Sequence, residues 1–406
     1  KLALVYLDKK LKEDYDYLIK HKVNLASSNI GYVQIQFLYM RSFFINIEVS
    51  GETLKAYTYY RKQSQQFWLQ QNKYMQGMIA LSLNRTGDPQ TAKNITASLK
   101  QNALISEEMG MYWKDLSGGY YWHQAPIESQ SLLIETFTEI TNDKKAVEDM
   151  KTWLLKQKQT QNWRTTKATA DACYALLLQG SDWLASTPEV RIVLGDQTIK
   201  STDQPTEAGT GYFKKTIDGK SVKPAMGDVQ VFITNGSAGT AAPSWGAVYW
   251  QYFEDLDKIT TAATPLQLTK KLFIERNSDR GPVLHPVNEG EILKVGDKIK
   301  VRIELRSDRN MEYVHMKDMR GACMEPVNVI SQFKWQGGLG YYESTKDAST
   351  NFFFNWLPKG TYVFEYPMFV THAGTYSNGV TTIQCMYAPE FTSHSEGVKV
   401  NVEQRQ

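Results

Sequence analysis

Acid–base, metal or nucleophilic chemistry in this chain would have to come from six histidines, three cysteines and a few carboxylates in helical stretches. Glu128, Glu135, Glu139 and Asp171 are the carboxylates to weigh, because carboxyl groups facing one cavity can act as general acid and base. Glu135 and Glu139 stand one turn apart on an acidic helix, with no second carboxylate cluster aimed at them, so they are expected on a solvated face. Glu13-Asp14-Tyr15-Asp16 is read the same way, as an exposed helical turn. His21 and His123 lack the i, i+4 pairing of a helical metal site, and His285, His315, His372 and His394 show no ligand spacing. Cys173, Cys323 and Cys385 lie far apart and match neither a metal nor a redox motif. At least one cysteine is unpaired, and Cys323 and Cys385 are expected as buried thiols in preference to a bridge between strands. No serine carries a nucleophile-elbow signature. The glycine-rich run Trp335-Gln336-Gly337-Gly338-Leu339-Gly340-Tyr341-Tyr342 is followed by no helix, which removes the dipole a phosphate loop relies on. The expected site list is therefore empty: no catalytic, cofactor-binding or metal-ligating residue.

The elements around these residues divide into two kinds. From Leu4 the apolar positions Leu4, Leu7, Leu11, Tyr15 and Leu18 recur every three or four residues, which predicts an amphipathic helix. Helices follow over Tyr32–Phe44, Leu54–Leu83 and Thr91–Leu104, with Gly87-Asp88-Pro89 supplying a stop, an N-cap and a first-turn proline. Two aromatic runs around Ser117-Gly118-Gly119, within Met111–Trp122, predict a small β-hairpin. The helical period returns after Pro126 through Leu132, Leu133, Phe137 and Ile140, then Val147, Met150, Trp153 and Leu154. A last helix, capped by Thr165 or Thr166, is expected to bury Ala168, Ala172, Cys173, Leu176 and Leu177. Paired helices of this kind predict a curved or toroidal α/α array.

Beyond Trp183 the period becomes two, starting with Val190, Ile192 and Leu194 before a Gly195-Asp196 turn. Strands are expected at Val229–Thr234, Lys298–Leu305, Glu312–Met316 and Tyr362–Val370, at the spacing of β-sandwiches. Small and polar residues at Thr260–Pro265 suggest a boundary between two β-domains. The aromatics of Trp335–Tyr342 and Phe352–Trp356 would suit a sugar-binding platform, but alternating aromatics in a sandwich are expected as core.

A chain of 406 residues, 42% hydrophobic and 22% charged, exceeds one core and has the composition of a globular protein. Its net charge of +3 is spread without a basic stripe, so no nucleic-acid partner is expected. Charges interrupt every apolar run before the ~18 residues of a membrane span. The chain opens at Lys1 without an initiator methionine, so it is expected to belong to a longer protein with any anchor upstream. The Asn-x-Ser/Thr sequons at Asn84, Asn94 and Asn235 are at the level of chance for this length.

Together these stretches resemble the C-terminal portion of a bacterial (Bacteroidetes-type) α2-macroglobulin-like protein. In the helical half the resemblance rests on Ala125-Pro126-Ile127-Glu128-Ser129-Gln130 and on Lys156–Ala170. In the β half it rests on Tyr249–Asp257, on Leu357-Pro358-Lys359-Gly360-Thr361-Tyr362 and on Met386-Tyr387-Ala388-Pro389-Glu390-Phe391. It implies a multidomain chain, α then β. Residues 1–184 would be the later part of a thioester-type α/α toroid, 185–260 a CUB-like β-domain, and 261–406 a terminal macroglobulin-type, fibronectin-III-like sandwich.

The function so implied is non-catalytic protease trapping: target proteases cut a bait segment of the full-length protein, which rearranges and holds the attacker. Periplasmic or envelope placement comes with the resemblance, as does a lipid anchor upstream. Thioester-bearing members use a Cys-x-Glu-Gln motif, which this chain lacks; Cys323-Met324-Glu325-Pro326 has proline, with no side-chain amide to acylate. His123 lies in no matched motif and receives no thioester role. The competing expectations are a glycan- or lipid-processing toroid using Glu128, Glu135 and Asp171, and a structural or carbohydrate-binding envelope protein using Trp335 and Trp356.

Overall fold

The computed structural model describes residues 2–49, 51–116, 125–179, 188–208, 211–234, 244 and 246–405. Trp183, His123, Asn235 and the Ser117-Gly118-Gly119 turn lie outside the described residues. Two compact units emerge, one of residues 1–156 with 163–246, the other of 157–162 with 247–406.

Eight α-helices are described: α1 (Leu2–Lys20), α2 (Tyr32–Arg41), α3 (Gly51–Phe67), α4 (Lys73–Arg85), α5 (Pro89–Gln101), α6 (Pro126–Thr141), α7 (Lys144–Thr160) and α8 (Thr166–Leu178). The expected helix over 54–83 is two helices, because the backbone tightens to a 3-10 turn at Trp68–Gln70 and Asn72 caps α4 by accepting from the Met75 amide. Gly87 sits at φ +91°, a conformation glycine takes without a Cβ penalty. Asp88 then caps α5 through the Thr91 amide, and Pro89 takes the first turn. Thr165, rather than Thr166, caps α8.

The helical core is continuous from Leu11 through Leu176 and contains Ile35, Met75, Ile79, Leu81, Trp113, Phe137 and Leu154. Phase errors are confined to two helices. Leu7 of α1 is exposed while Leu4, Asp8 and Leu11 are covered. In α8 Ala168, Ala172, Ala175 and Leu176 are buried, whereas Cys173 and Leu177 face out. An alanine-rich helix offers little contrast for reading its inner face.

Met111 and Tyr112 belong to a short antiparallel pair with the segment before them, β1 (Leu104–Ser106) and β2 (Gly110–Tyr112), while the turn and second run of the hairpin expected through Trp122 lie outside the described residues. Gly110, at φ +68°, lies so close to α7 that any Cβ would strike the Asp149 carbonyl. A three-stranded sheet follows, ordered β4 (Gln197–Lys200), β3 (Glu189–Leu194), β5 (Val229–Thr234). Its Gly195-Asp196 turn is the two-residue hairpin expected, with Gly195 at φ +56°.

The remaining strands are β6 (Leu266–Ser278), β7 (Gly281–Pro286), β8 (Ile292–Lys294), β9 (Lys298–Ser307), β10 (Met311–Met319), β11 (Met324–Pro326) and β12 (Gln332–Gln336). They continue with β13 (Leu339–Lys346), β14 (Ser349–Leu357), β15 (Gly360–Val370), β16 (Gly374–Ser377), β17 (Thr381–Cys385), β18 (Ala388–His394) and β19 (Lys399–Glu403). A six-stranded sheet, β12-β13-β14-β10-β17-β18, faces a five-stranded sheet, β11-β15-β9-β6-β7. Tyr341 and Phe352 of the first meet Phe364 of the second at ring separations of 5.3 and 5.5 Å. A small third sheet, β16-β19-β8, adds Leu293, Val400 and Val402 to the same core. Strict alternation drives this layering: in β9 Ile299, Val301, Ile303 and Leu305 are buried while their neighbours turn outward.

Candidate functional site

The helical carboxylates separate into two groups. Arg85, at the end of α4, reaches α6 and is gripped by Glu135 at 2.7 Å and Glu139 at 2.5 Å. Its guanidinium lies 4.4 Å from the Phe43 ring centroid, and the Tyr39 hydroxyl donates to Glu135. Burial, and then the negative charge of Glu135, push the Tyr39 hydroxyl well above its ordinary pKa, so it stays a donor. The solvated face expected for Glu135 and Glu139 is thus an ion-pair clasp joining α4 to α6. Sequence spacing could not reveal it, because the partner lies about fifty residues away.

The second group surrounds Tyr74. Glu128, buried at the start of α6, accepts from Thr165 at 3.2 Å. Asp171 pairs with Lys167 at 2.5 Å, and that lysine also approaches the Tyr74 hydroxyl. Burial raises the Tyr74 pKa, with Lys167 acting against it. Each carboxylate is already bonded to a cation or a hydroxyl donor, which is the signature of helix packing. The three carboxylates of the enzyme reading do not converge on one point: Glu135 belongs to the Arg85 clasp, Glu128 and Asp171 to the Tyr74 group.

Among the described residues no three His, Cys, Asp or Glu side chains gather as a metal site. His21 Nδ1 donates to the Tyr17 carbonyl, and its ring lies tilted against that of Tyr17, with centroids 3.9 Å apart. His315 is tied to Asn351 and stacks on Phe353 at 4.7 Å. Cys323 and Cys385 are free, buried thiols, as expected, and burial raises the pKa of both.

The strongest concentration of buried polar chemistry went unnoticed in the sequence. Lys270 occupies an inward position of β6, between Leu268 and Leu272, and Asp318 an inward position of β10, after Val314 and Met316. Their side chains have no exposed surface and meet at 2.8 Å. Lys270 Nζ also donates to the carbonyls of Met319, at 2.6 Å, and Asn378, at 3.2 Å. Asp318 accepts from Thr381 at 2.6 Å and from the Tyr366 hydroxyl. Burial, reinforced by the Asp318 charge, holds the Tyr366 hydroxyl far above its ordinary pKa. Arg320 closes the cluster, donating to Thr350 and to the carbonyls of Asp347 and Lys346. A charged residue in the inward phase of an apolar strand was the available signal, since such a residue is buried only with partners.

The aromatics of the sugar-platform expectation divide between the two faces of the six-stranded sheet, with Tyr341 in the core and Trp356 partly covered. Phe352 and Phe354 are core, but Phe333 and Trp335 of the edge strand β12 are 72% and 80% exposed. Register aligns Phe333, Tyr342, Phe353 and His315 across four strands. Trp335 lies over Gly340, where a Cβ would meet the indole at 3.0 Å. Gly337 and Gly338, both at positive φ, form a hairpin turn rather than a phosphate loop.

Residues 266–390 match the family model of the bacterial alpha-2-macroglobulin MG10 domain. The chain resembles a C-terminal portion of a bacterial alpha-2-macroglobulin. The matched segment runs from the first strand of the sandwich, β6, into β18, so it contains all of the Lys270–Asp318 cluster. No curated protein matches the sequence. Among solved structures, trypsin-activated alpha-2-macroglobulin from Escherichia coli overlaps 98% of this chain and 25% of its own length, at 10% identity and a TM-score of 0.40. A point mutant of Salmonella alpha-2-macroglobulin overlaps 91% and 24%, at 12% identity and a TM-score of 0.30. The E. coli alpha-2-macroglobulin fragment from domain MG7 to the C-terminus overlaps 98% and 58%, at 9% identity and a TM-score of 0.29. At these scores the overlaps add nothing to the family match, and the chain spans about a quarter of the Salmonella and trypsin-activated E. coli macroglobulin chains.

Proposed function

We propose that this chain is a non-catalytic part of a protease-trapping inhibitor of the bacterial alpha-2-macroglobulin type, acting in the periplasm or cell envelope. The observation that carries the reading is the MG10 match over residues 266–390. In this reading residues 1–184 are the later part of an α/α toroid of thioester type, 185–260 a CUB-like domain and 261–406 the terminal sandwich. Target proteases are the partners, met through the full-length protein. No described helix is long and apolar enough to cross a membrane, in keeping with a segment that does not insert.

The structural half of the proposal is tested by small-angle scattering of the full-length protein before and after limited proteolysis. Trapping requires that cleavage be followed by a change in overall dimensions. A cleaved protein whose scattering curve is unchanged would overturn the reading.

A further inference from the structure

We propose that Lys270, Asn378 and Asp318 form a self-generated amide cross-link in the terminal sandwich, joining Lys270 Nζ to the Asn378 carboxamide carbon. The three side chains are wholly buried. Lys270 belongs to β6, the first strand, and Asn378 to the turn between β16 and β17, 108 residues later. Lys270 Nζ lies 3.2 Å from the main-chain oxygen of Asn378.

The Asn378 carboxamide is held as an electrophile would be. Its Oδ1 accepts the Gly321 amide at 3.0 Å, which draws electron density from the carbonyl carbon and would stabilise an oxyanion there. Its Nδ2 is buried and bonded to nothing, a costly arrangement for an amide that stays an amide. The Asp318 carboxylate, 2.8 Å from Lys270 Nζ, is placed as the base. Asp318 is not left open to attack, because its oxygens are taken up by donors: Lys270 and Thr381 on Oδ1, and Tyr366 on Oδ2.

The balance closes without an oxidant or a co-reactant. Asp318 takes a proton from the Lys270 ammonium across the 2.8 Å contact between them. The freed amine attacks the Asn378 carbon, and the new C–N bond forms as the carbonyl becomes an oxyanion facing Gly321. Collapse breaks the bond to Nδ2, which departs as ammonia with a proton returned through Asp318. Side-chain amine and carboxamide become a secondary amide and ammonia. Nearby Asn378-Gly379 offers a competing route, in which the Gly379 amide attacks the same carbon, also expels ammonia and closes a succinimide.

Intact mass spectrometry of the full chain, denatured and reduced, followed by peptide mapping, separates these outcomes. The cross-link predicts a mass lower than the sequence by one ammonia and a branched peptide joining Lys270 to Asn378. It also predicts that Lys270→Arg and Asn378→Ala have their full masses. A full-mass native chain overturns the proposal without any variant having to fold. Loss of one water, marking an amide to Asp318, overturns it as well. So does loss of ammonia that persists in Lys270→Arg, which marks the succinimide.

Discussion

Lys270 Nζ stands 2.8 Å from Asp318 Oδ1 in the middle of an apolar sandwich, and neither side chain reaches solvent. Removing Asp318 takes away both the base and the counter-charge, and leaves the Lys270 amine uncross-linked among Leu268, Leu272 and Met316. Asp318→Leu should therefore destabilise the terminal sandwich by about 3–5 kcal/mol. The double variant Lys270→Met with Asp318→Leu should lose less than Asp318→Leu alone, because no charge is left uncompensated. Urea unfolding of the four species, analysed as a double-mutant cycle, checks both statements.

Arg85 ties α4 to α6 through two carboxylates that would otherwise repel one another. Arg85→Met keeps much of the side-chain volume and removes the charge, and should cost the helical unit roughly 2 kcal/mol, between surface and buried pairs. Glu139→Gln, at the more exposed end of the clasp, should cost under about 1 kcal/mol. Thermal unfolding followed by far-ultraviolet dichroism would rank the two.

Asp88 gives the helical unit an acid sensitivity. Burial alone would raise its pKa, but hydrogen bonds from Gln65 and Thr91 outweigh that and leave it below the ordinary value. A depressed folded pKa means the contribution is complete above about pH 4 and lost as pH falls through the folded value. Asp88→Asn keeps the capping oxygen without titrating, so its stability should fall less steeply in that window. Asp88→Ala should cost about 1 kcal/mol at neutral pH. Urea midpoints measured from neutral pH downward provide the check.

What could be read along the chain was what depends on near neighbours. Gly87-Asp88-Pro89 announced the start of α5, and Gly195-Asp196 the β3–β4 turn, because backbone geometry at those positions is set within a few residues. Val229–Thr234 was legible as β5 from alternation alone. The Arg85 clasp and the Lys270–Asp318 pair were hidden because their partners are distant in sequence. Yet Lys270 sits in perfect phase with Leu266, Leu268, Leu272 and Ile274, so alternation had marked it as inward and residue type alone argued otherwise. Cys173 was misplaced for the opposite reason: the alanines of α8 made two neighbouring faces look alike.

Cys173 is exposed, whereas Cys323 and Cys385 are buried with raised pKa values. A thiol-specific reagent should therefore label Cys173 quickly in the native chain and the other two only after unfolding. Fast native labelling of Cys323 or Cys385 would contradict their placement in the sandwich core.

The central claim, protease trapping, is met most directly by assaying a protease after incubation with the full-length protein. The account predicts that the protease keeps its activity toward a small peptide substrate while losing most of its activity toward a large protein substrate. Undiminished cleavage of the large substrate, after the full-length protein has itself been cut, would contradict it.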